Sequence, residues 1–328
     1  MEKKRVTIVD IAKEIGVSKT LVSNALHGRG RVSEETRTAV LQAAASMGYV
    51  SNKAAQQLRA DKYGTIGLVI PKDVRSLSFY MQLVLGVSEA CAQRKSNLML
   101  YTSVDETSEV TLNAPVDGVI ICDPTSRDRT IEQMAQEKIP VVTVGNVDAE
   151  QAEKICGTVS IDYQECIGRI FEAAERTGEL SSVFLVGASL EQKPIWVQEI
   201  REAFSAQAAQ RTVQAHLHAV PAAAGTELDG VIDAMIDSAP QLVVVAYQGL
   251  ASSLRKAWHS RSAAEQTLPL FAALPGDPIS DAADPDIISV DLGAGDYGAA
   301  AVDLLDVVLG SDKQEVLHRQ LLAQFNAH

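Results

Sequence analysis

Near residue 65 the periodicity of the sequence switches, and no single layer architecture suits both sides of the switch. Before it, apolar residues recur three and four apart, the spacing of one helix face. After it, short runs rich in Val, Ile and Leu alternate with amphipathic helical stretches. Alternation of that kind builds parallel sheets with right-handed crossovers. A chain of 328 residues has room for a small helical domain and two such α/β units.

The leading segment predicts three short helices over 6–48. Thr7 caps the first, with Asp10 as its capping-box partner, and Ile8, Ile11, Ala12 and Ile15 face inward. Gly16 stops it. Ser18 caps the second, whose buried face is Leu21, Val22, Ala25 and Leu26. Residues 27–31 form a flexible basic loop. Ser33 caps the third helix, Glu34 and Glu35 suit its dipole, Val40, Leu41, Ala44 and Met47 face inward, and Gly48 closes it. A further helical pattern at 52–59 is too short to be stable alone in water.

Two helices joined by a tight glycine-containing turn can place the second in the DNA major groove. Its apolar positions hold that helix on the domain and leave Lys19, Thr20, Ser23 and Asn24 on the open face. Lys19 can donate to guanine, Asn24 can pair with adenine, and Thr20 offers a hydroxyl or a methyl to a base. Ser18, which enters the major groove with them at the helix N-terminus, and Thr7 suit phosphates, as do His27 and Arg31 in the basic loop. The charge is divided accordingly. Residues 1–62 hold eleven Lys and Arg against six Asp and Glu, a net +5, which leaves −18 on the remainder of a chain with net charge −13. A basic end releases counterions from a phosphate backbone, and an acidic body is repelled from it.

From residue 65, strands are expected at 65–70, 98–101, 116–121, 141–144, 183–186, 242–246, 270–273 and 287–290. Helices are expected at 79–95, 127–137, 167–176, 196–207 and 228–237. No apolar run reaches the roughly 18–20 residues of a membrane span. The basic start, Met1 to Arg5, is followed by Asp10, Lys13 and Glu14 rather than an apolar signal core, so a cytoplasmic location is expected. Cys91, Cys122, Cys156 and Cys166 have no metal-binding spacing and are expected to be reduced thiols. No serine-hydrolase, zinc-protease or phosphate-loop motif occurs, and His216 and His218 lack partners at metal spacing, so neither an enzyme nor a cofactor is expected.

Residues 6–59, beginning V-T-I-V-D-I-A-K-E-I-G-V-S-K-T-L-V-S-N-A-L, resemble the headpiece and hinge of the LacI–GalR family of bacterial regulators. The resemblance implies that the second helix reads the major groove through Lys19, Thr20 and Asn24. The last of these positions is commonly Arg in the family, so Asn24 suggests an operator with adenine in place of guanine. It also implies that 52–59 is a hinge helix that orders on cognate DNA. Paired with its copy from a second subunit, the hinge would enter the minor groove through Asn52, Ala55, Gln56 and Leu58. Leu58 would be the apolar wedge, and Ala55 would leave room for close approach.

Residues 65–328 are similar to that family's effector domain, which has a periplasmic-binding-protein-like fold, through Thr65–Ile70 with Pro71, 115–120, 139–142 and Ile161-Asp162. The implied fold is a small all-α helix-turn-helix headpiece followed by an α/β effector domain of two parallel-sheet subdomains. The implied division is a headpiece at 1–50, a hinge and linker at 51–62, and an effector and dimerisation domain at 63–328. Within the last, one subdomain takes about 63–160 and 291–312, and the other about 161–290 and 313–328. Three family landmarks for sugar ligation are replaced here: an arginine by Trp196, an Asn-Asp pair by Tyr247-Gln248, and a Gly-Phe-Asp-Asp run by Ala273-Leu274-Pro275-Gly276. Two readings follow. Either the cleft holds a flatter, less polar small molecule against Phe79, Trp196, Tyr247 and Gln248, or it is vestigial and the body serves as a dimerisation platform. The implied partners are double-stranded operator DNA, a second copy of the chain through the helix after Phe79 and the helix 297–309, and a small-molecule effector, with no membrane.

Overall fold

The computed structural model describes residues 6–27, 30–49, 63–71, 78–102, 115–188, 194–220, 228–261, 267–281, 284–311 and 315–326. The hinge residues Asn52, Ala55, Gln56 and Leu58 lie outside these, as does the side chain of His27. The chain forms two compact units, 1–63 and 64–328.

The first unit is three helices, α1 (Ile8–Glu14), α2 (Lys19–His27) and α3 (Glu34–Ser46). Local chemistry sets each boundary. Both the backbone N–H and the hydroxyl of Thr7 donate to Asp10 Oδ2, at 2.9 and 2.7 Å. Gly16 and Gly48 end α1 and α3 with φ near +70°, a conformation free of strain only without a Cβ. The Ser33 hydroxyl oxygen accepts the N–H of Thr36. Ile11, Ala12, Val22, Ala25, Val40, Ala43 and Ala44 make the core. Leu41, expected inside, is 49% exposed, because the inward arc of α3 runs through Val40, Ala43 and Ala44 at helical spacing.

The second unit holds two six-stranded sheets. In chain order its elements are β1 (Thr65–Ile70), α4 (Ser78–Gln93), β2 (Asn97–Thr102), β3 (Gly118–Cys122), α5 (Arg129–Glu137), β4 (Val141–Val144), α6 (Ala149–Ala152), β5 (Gly157–Ile161) and α7 (Tyr163–Glu175). There follow β6 (Ser182–Ala188), α8 (Ile195–Gln210), β7 (Gln214–Val220), α9 (Leu228–Ser238), β8 (Leu242–Val245), α10 (Leu250–Arg261), β9 (Leu270–Ala273) and β10 (Ile287–Asp291). The chain ends with α11 (Ala294–Gly310), β11 (Leu317–Leu321) and β12 (Gln324–Phe325). The strand orders are β11-β5-β4-β3-β1-β2 and β12-β10-β9-β8-β6-β7. Every neighbouring pair is parallel except β10 with β12. Central strands such as β1, β3, β4 and β8 are buried along their whole length, as helices on both faces require.

Two details depart from expectation. Residues 313–328 were assigned to the second subdomain, yet β11 pairs with β5 in the first sheet and only β12 joins the second. The strands β5, β7, β11 and β12 were not expected; β7, β11 and β12 are edge strands, and β7 and β11 carry polar, largely uncovered faces. The helix expected at 297–309 is α11; it packs on α4 and the first sheet, with Leu304 against Gly157 and Leu305 against Gly118, while Val307 stands 56% exposed. A Cβ on Gly86 would lie 2.0 Å from the carbonyl oxygen of Gly295, and one on Gly298 would lie 2.4 Å from that of Leu83. Glycine at both positions lets the two backbones touch.

Candidate functional site

On the headpiece, α2 is held from beneath by Val22 and Ala25, both buried, with Leu21 and Leu26 half-buried beside them. Ser18 spends its hydroxyl oxygen accepting the N–H of Leu21 at 3.2 Å, which caps the helix. Lys19 and Thr20 stand exposed in the first turn, and Ser23 and Asn24 follow half-buried one turn later. Thr20, Ser23 and Asn24 share one face by helical spacing. The Asn24 carboxamide lies against Gly30, where an added Cβ would fall 3.0 Å from Asn24 Nδ2, so the glycine at φ +69° makes room for that side chain. Arg31 is exposed. Thr7, a candidate phosphate ligand, is exposed with its hydroxyl committed to Asp10. Arg37 was not singled out from sequence. Its guanidinium donates to the carbonyl of Ala25 at 3.4 Å, tying α3 to α2.

In the body, the polar groups gather where strands end. Asp123 follows β3, Asn146 follows β4, and Tyr163 follows β5; Tyr247 and Gln248 follow β8, and Asp277 follows β9. Carboxyl ends of parallel strands are where open α/β sheets hold ligands, because the chain turns away there and leaves a crevice. Between the two sheets these groups meet. The Phe79 N–H donates to Gln248 Oε1 at 3.0 Å, and Gln248 Nε2 donates to the carbonyl of Gly276 at 3.3 Å. Ser78 Oγ donates to Asp277 Oδ2 at 3.2 Å. Thr125 and Pro194 form an isolated antiparallel bridge, and the Ile195 N–H donates to the Pro124 carbonyl.

Two carboxylates face this cleft. Asp123, left-handed at φ +47°, accepts from the Tyr80 hydroxyl through Oδ2, and Glu199 on α8 accepts from Asn146 Nδ2 at 2.6 Å. Burial pushes the Asp123 carboxyl up to about 6, against the lowering hydrogen bond of Tyr80 and with the charge of Glu199 adding to the rise. Burial also raises Glu199, opposed by Asn146 and assisted by Glu202. Tyr80, Tyr163 and Tyr297 are all pushed well above the usual phenol range, first by burial and then by the negative charges around them. Burial pushes Asp277 up as well, but hydrogen bonds from Ser280, Ile279 and Ser78 outweigh it and hold that carboxyl below its usual range.

The four effector-site candidates are not all brought together. Phe79 and Gln248 meet directly. The Phe79 ring packs edge-on to Tyr80 at 5.3 Å and to Tyr297 at 6.5 Å, and Trp196 lies on the same core cluster. Tyr247 packs instead against the other cluster, with Val186 and Val245. Sequence reasoning missed Tyr80, Asp123, Asn146, Tyr163, Glu199 and Asp277. An acid or amide within four residues of the end of a buried apolar strand was the signal that could have found Asp123, Asn146 and Asp277. Among the described residues there is no group of three or more metal-ligating side chains, and no helix long and apolar enough to cross a membrane. All four cysteines are free thiols.

Two family models match the chain: bacterial regulatory proteins of the lacI family over residues 7–52, and the periplasmic binding proteins and sugar binding domain of the LacI family over 63–222. Catabolite control protein A of Priestia megaterium is 28% identical over 189 residues, which is 56% of this chain and 55% of that protein. The maltose regulon regulatory protein MalI of Escherichia coli (strain K12) is 37% identical over 193 residues, 57% of this chain and 55% of that protein. The matched stretch thus spans about half the length of these relatives. A solved lac repressor dimer, bound to operator and the anti-inducer ONPF, shares the fold with a TM-score of 0.80 over 98% of both chains at 18% identity. Together the two models take in more than half of the sequence, on either side of the switch at residue 65, and the chain belongs to the lacI family of bacterial regulatory proteins.

Proposed function

We propose that the protein is a sequence-specific DNA-binding transcription regulator, a homodimeric repressor acting at a palindromic operator, with an effector cleft between its two sheets. The observation that carries this reading is α2: anchored by Val22 and Ala25 below, it presents Lys19 and Thr20 to solvent, with Ser23 and Asn24 on its flank. Lys19, Thr20, Ser23 and Asn24 would read base edges, and Ser18, Thr7, His27 and Arg31 would sit at phosphates. The hinge at 51–62 would enter the minor groove through Asn52, Ala55, Gln56 and Leu58. A second copy fits the edge at β2 and the exposed side of α4, where Met81 and Leu85 stand exposed on α4 and Met99 and Leu100 on β2, since β2 is an edge strand and such apolar residues favour cover.

The test is selection of duplexes from a random pool by the full chain. Enrichment of an inverted repeat supports the reading, and recovery of unrelated sequences contradicts it. One observation favours the second reading, a body without effector control. Gln248 and Ser78 already bridge the cleft using the chain's own groups. Under that reading no small molecule alters operator affinity, and control is constitutive or passes through a protein partner.

A further inference from the structure

We propose that the second sheet carries a further binding site at its amino end, for a small neutral molecule with an apolar body and a carbonyl oxygen that accepts from the indole N–H of Trp258. This site is separate from the cleft and does not require the cleft to hold an effector.

A pocket of about 830 Å³ lies between α10 and the residues that lead into β6, β8 and β9. That volume falls within the roughly 300–1,000 Å³ of small-molecule sites. Leu180 leads into β6, Pro240 into β8, and Leu268 and Pro269 into β9, and all four line the pocket. The cleft is at the other end of these strands, where Gln248 follows β8 and Asp277 follows β9. The length of β8 alone puts about 13 Å between the two places. Gly178, on the pocket wall, faces open space, with nothing within 4 Å of an added Cβ.

Trp258 is the residue that points to a ligand. Its side chain packs in the apolar cluster with Leu254 and Phe271, is 2% exposed, and forms part of the pocket wall. Its Nε1 is buried and has no acceptor among the described residues. A buried N–H without an acceptor is costly to keep. The cluster around the ring offers apolar side chains, so the acceptor has to come from the pocket.

The other polar groups of the wall are already engaged. Gln241 Oε1 accepts from the N–H groups of Ser181 and Ser182, and its Nε2 donates to the Ala239 carbonyl. The Thr177 hydroxyl donates to the Ala174 carbonyl at 2.7 Å. The Arg255 guanidinium, one turn before Trp258, pairs with Asp284 at 2.8 Å and with Asp286. Ligand classes meet this wall differently. A sugar would bury hydroxyls beside groups that already have their partners. An anion would meet Glu179, Asp284 and Asp286 against the single charge of Arg255. An ammonium is a donor and leaves the indole N–H unanswered. A neutral carbonyl compound accepts from the indole and lays its apolar part on Leu180, Pro240, Leu268 and Pro269.

The test observes the indole N–H itself. The chain has two tryptophans, Trp196 and Trp258. Isotope labelling of the full chain therefore gives two indole resonances, and Trp196→Phe identifies the one from Trp258. Acetophenone, coumarin, camphor and δ-decalactone are titrated in turn. Ethylbenzene, which is acetophenone with a methylene in place of the carbonyl, is the matched control, beside glucose, benzoate and phenethylamine. At least one of the four carbonyl compounds should bind and move the Trp258 resonance while that of Trp196 stays in place. Trp258→Phe keeps a ring and removes the N–H, and should weaken that compound about tenfold in calorimetric titration. Gly178→Phe fills the pocket without removing any polar group, and should abolish binding. Thermal melts of each variant verify folding. No binding by the four, ethylbenzene bound as tightly as the best of them, or binding by glucose, benzoate or phenethylamine in their place overturns the proposal. So does an affinity that both variants retain. A Trp258 resonance that moves on dilution of the protein alone also overturns it, because the occupant would then be a second copy of the chain.

Discussion

The headpiece and the cleft treat their polar side chains in opposite ways. On α2, Lys19 and Thr20 are exposed and their side chains make no hydrogen bond or ion pair among the described residues, so the helix presents a face open to a partner. In the cleft, Ser78, Gln248 and Asn146 are committed across the body to Asp277, the Phe79 N–H and Glu199, and Tyr80 is committed to Asp123. The difference teaches how each region can be tuned. A reading face changes specificity one side chain at a time, with little effect on folding. A cleft whose residues bridge the two sheets couples ligand contact to the closure of the body, so its substitutions change both.

The sharpest way to break the comparison is to destroy the support of one region and ask whether the other notices. Ile11 is fully buried in a core of a few small residues. Ile11→Ala should cost the headpiece about 2–5 kcal/mol, enough to unfold so small a unit. Operator binding should vanish while the main calorimetric transition of the body stays in place. A shifted body transition would mean that the two units do not fold independently.

Next in size is Asp123→Asn. The folded carboxyl holds its proton to about pH 6, well above the ordinary 3.8, so the folded state binds a proton more tightly than the unfolded chain between those values. Stability of the body therefore falls as pH rises from about 4 to 6 and is level above that. Asparagine removes the titration. The variant should be more stable than the parent by about 1–3 kcal/mol at pH 7.5, with the difference gone near pH 4. Denaturant melts at the two pH values measure it, and an equal effect at both would show that burial of this charge is not what costs energy.

Asn24→Ala should relax the choice of one base pair per half-site, at about 1–3 kcal/mol against the best sequence, and leave folding alone. Selection from a random pool reads this out, and an unchanged consensus would remove Asn24 from the reading face. The smallest effect is expected for Gln248→Ala, which frees the Phe79 N–H and the Gly276 carbonyl. It should cost the body about 1 kcal/mol and raise the radius of gyration slightly in solution scattering. No change in either would mean that the bridge contributes nothing to closure.

How legible each region was follows from the same contrast. The headpiece could be read almost residue by residue because its signals are local. Ser18, Ser33, Gly16 and Gly48 act within four positions of themselves; among the described residues, Leu41 stands outside where it was expected inside, and His27, expected in the loop, closes α2. The cleft could not be read this way, because its contacts join Tyr80 to Asp123, Phe79 to Gln248 and Ser78 to Asp277 across 43, 169 and 199 positions. Central strands showed as apolar runs. Edge strands such as β11, Leu-His-Arg-Gln-Leu, did not, because a strand with one partner and open faces carries polar residues like those of a loop. In β5, Gly157 replaces the expected β-branched residue because Leu304 and the Leu317 carbonyl crowd it, with a Cβ there only 2.8 Å from the former.

The central claim is that α2, carried on a basic headpiece, reads base edges. Its most direct test is the affinity of the full chain for its best selected duplex and for a scrambled duplex of the same composition, by fluorescence anisotropy across a salt series. The expected result is a preference of about a thousandfold or more for the selected duplex, with both affinities falling steeply as salt rises. Equal affinity for the two duplexes, or affinity indifferent to salt, would contradict it.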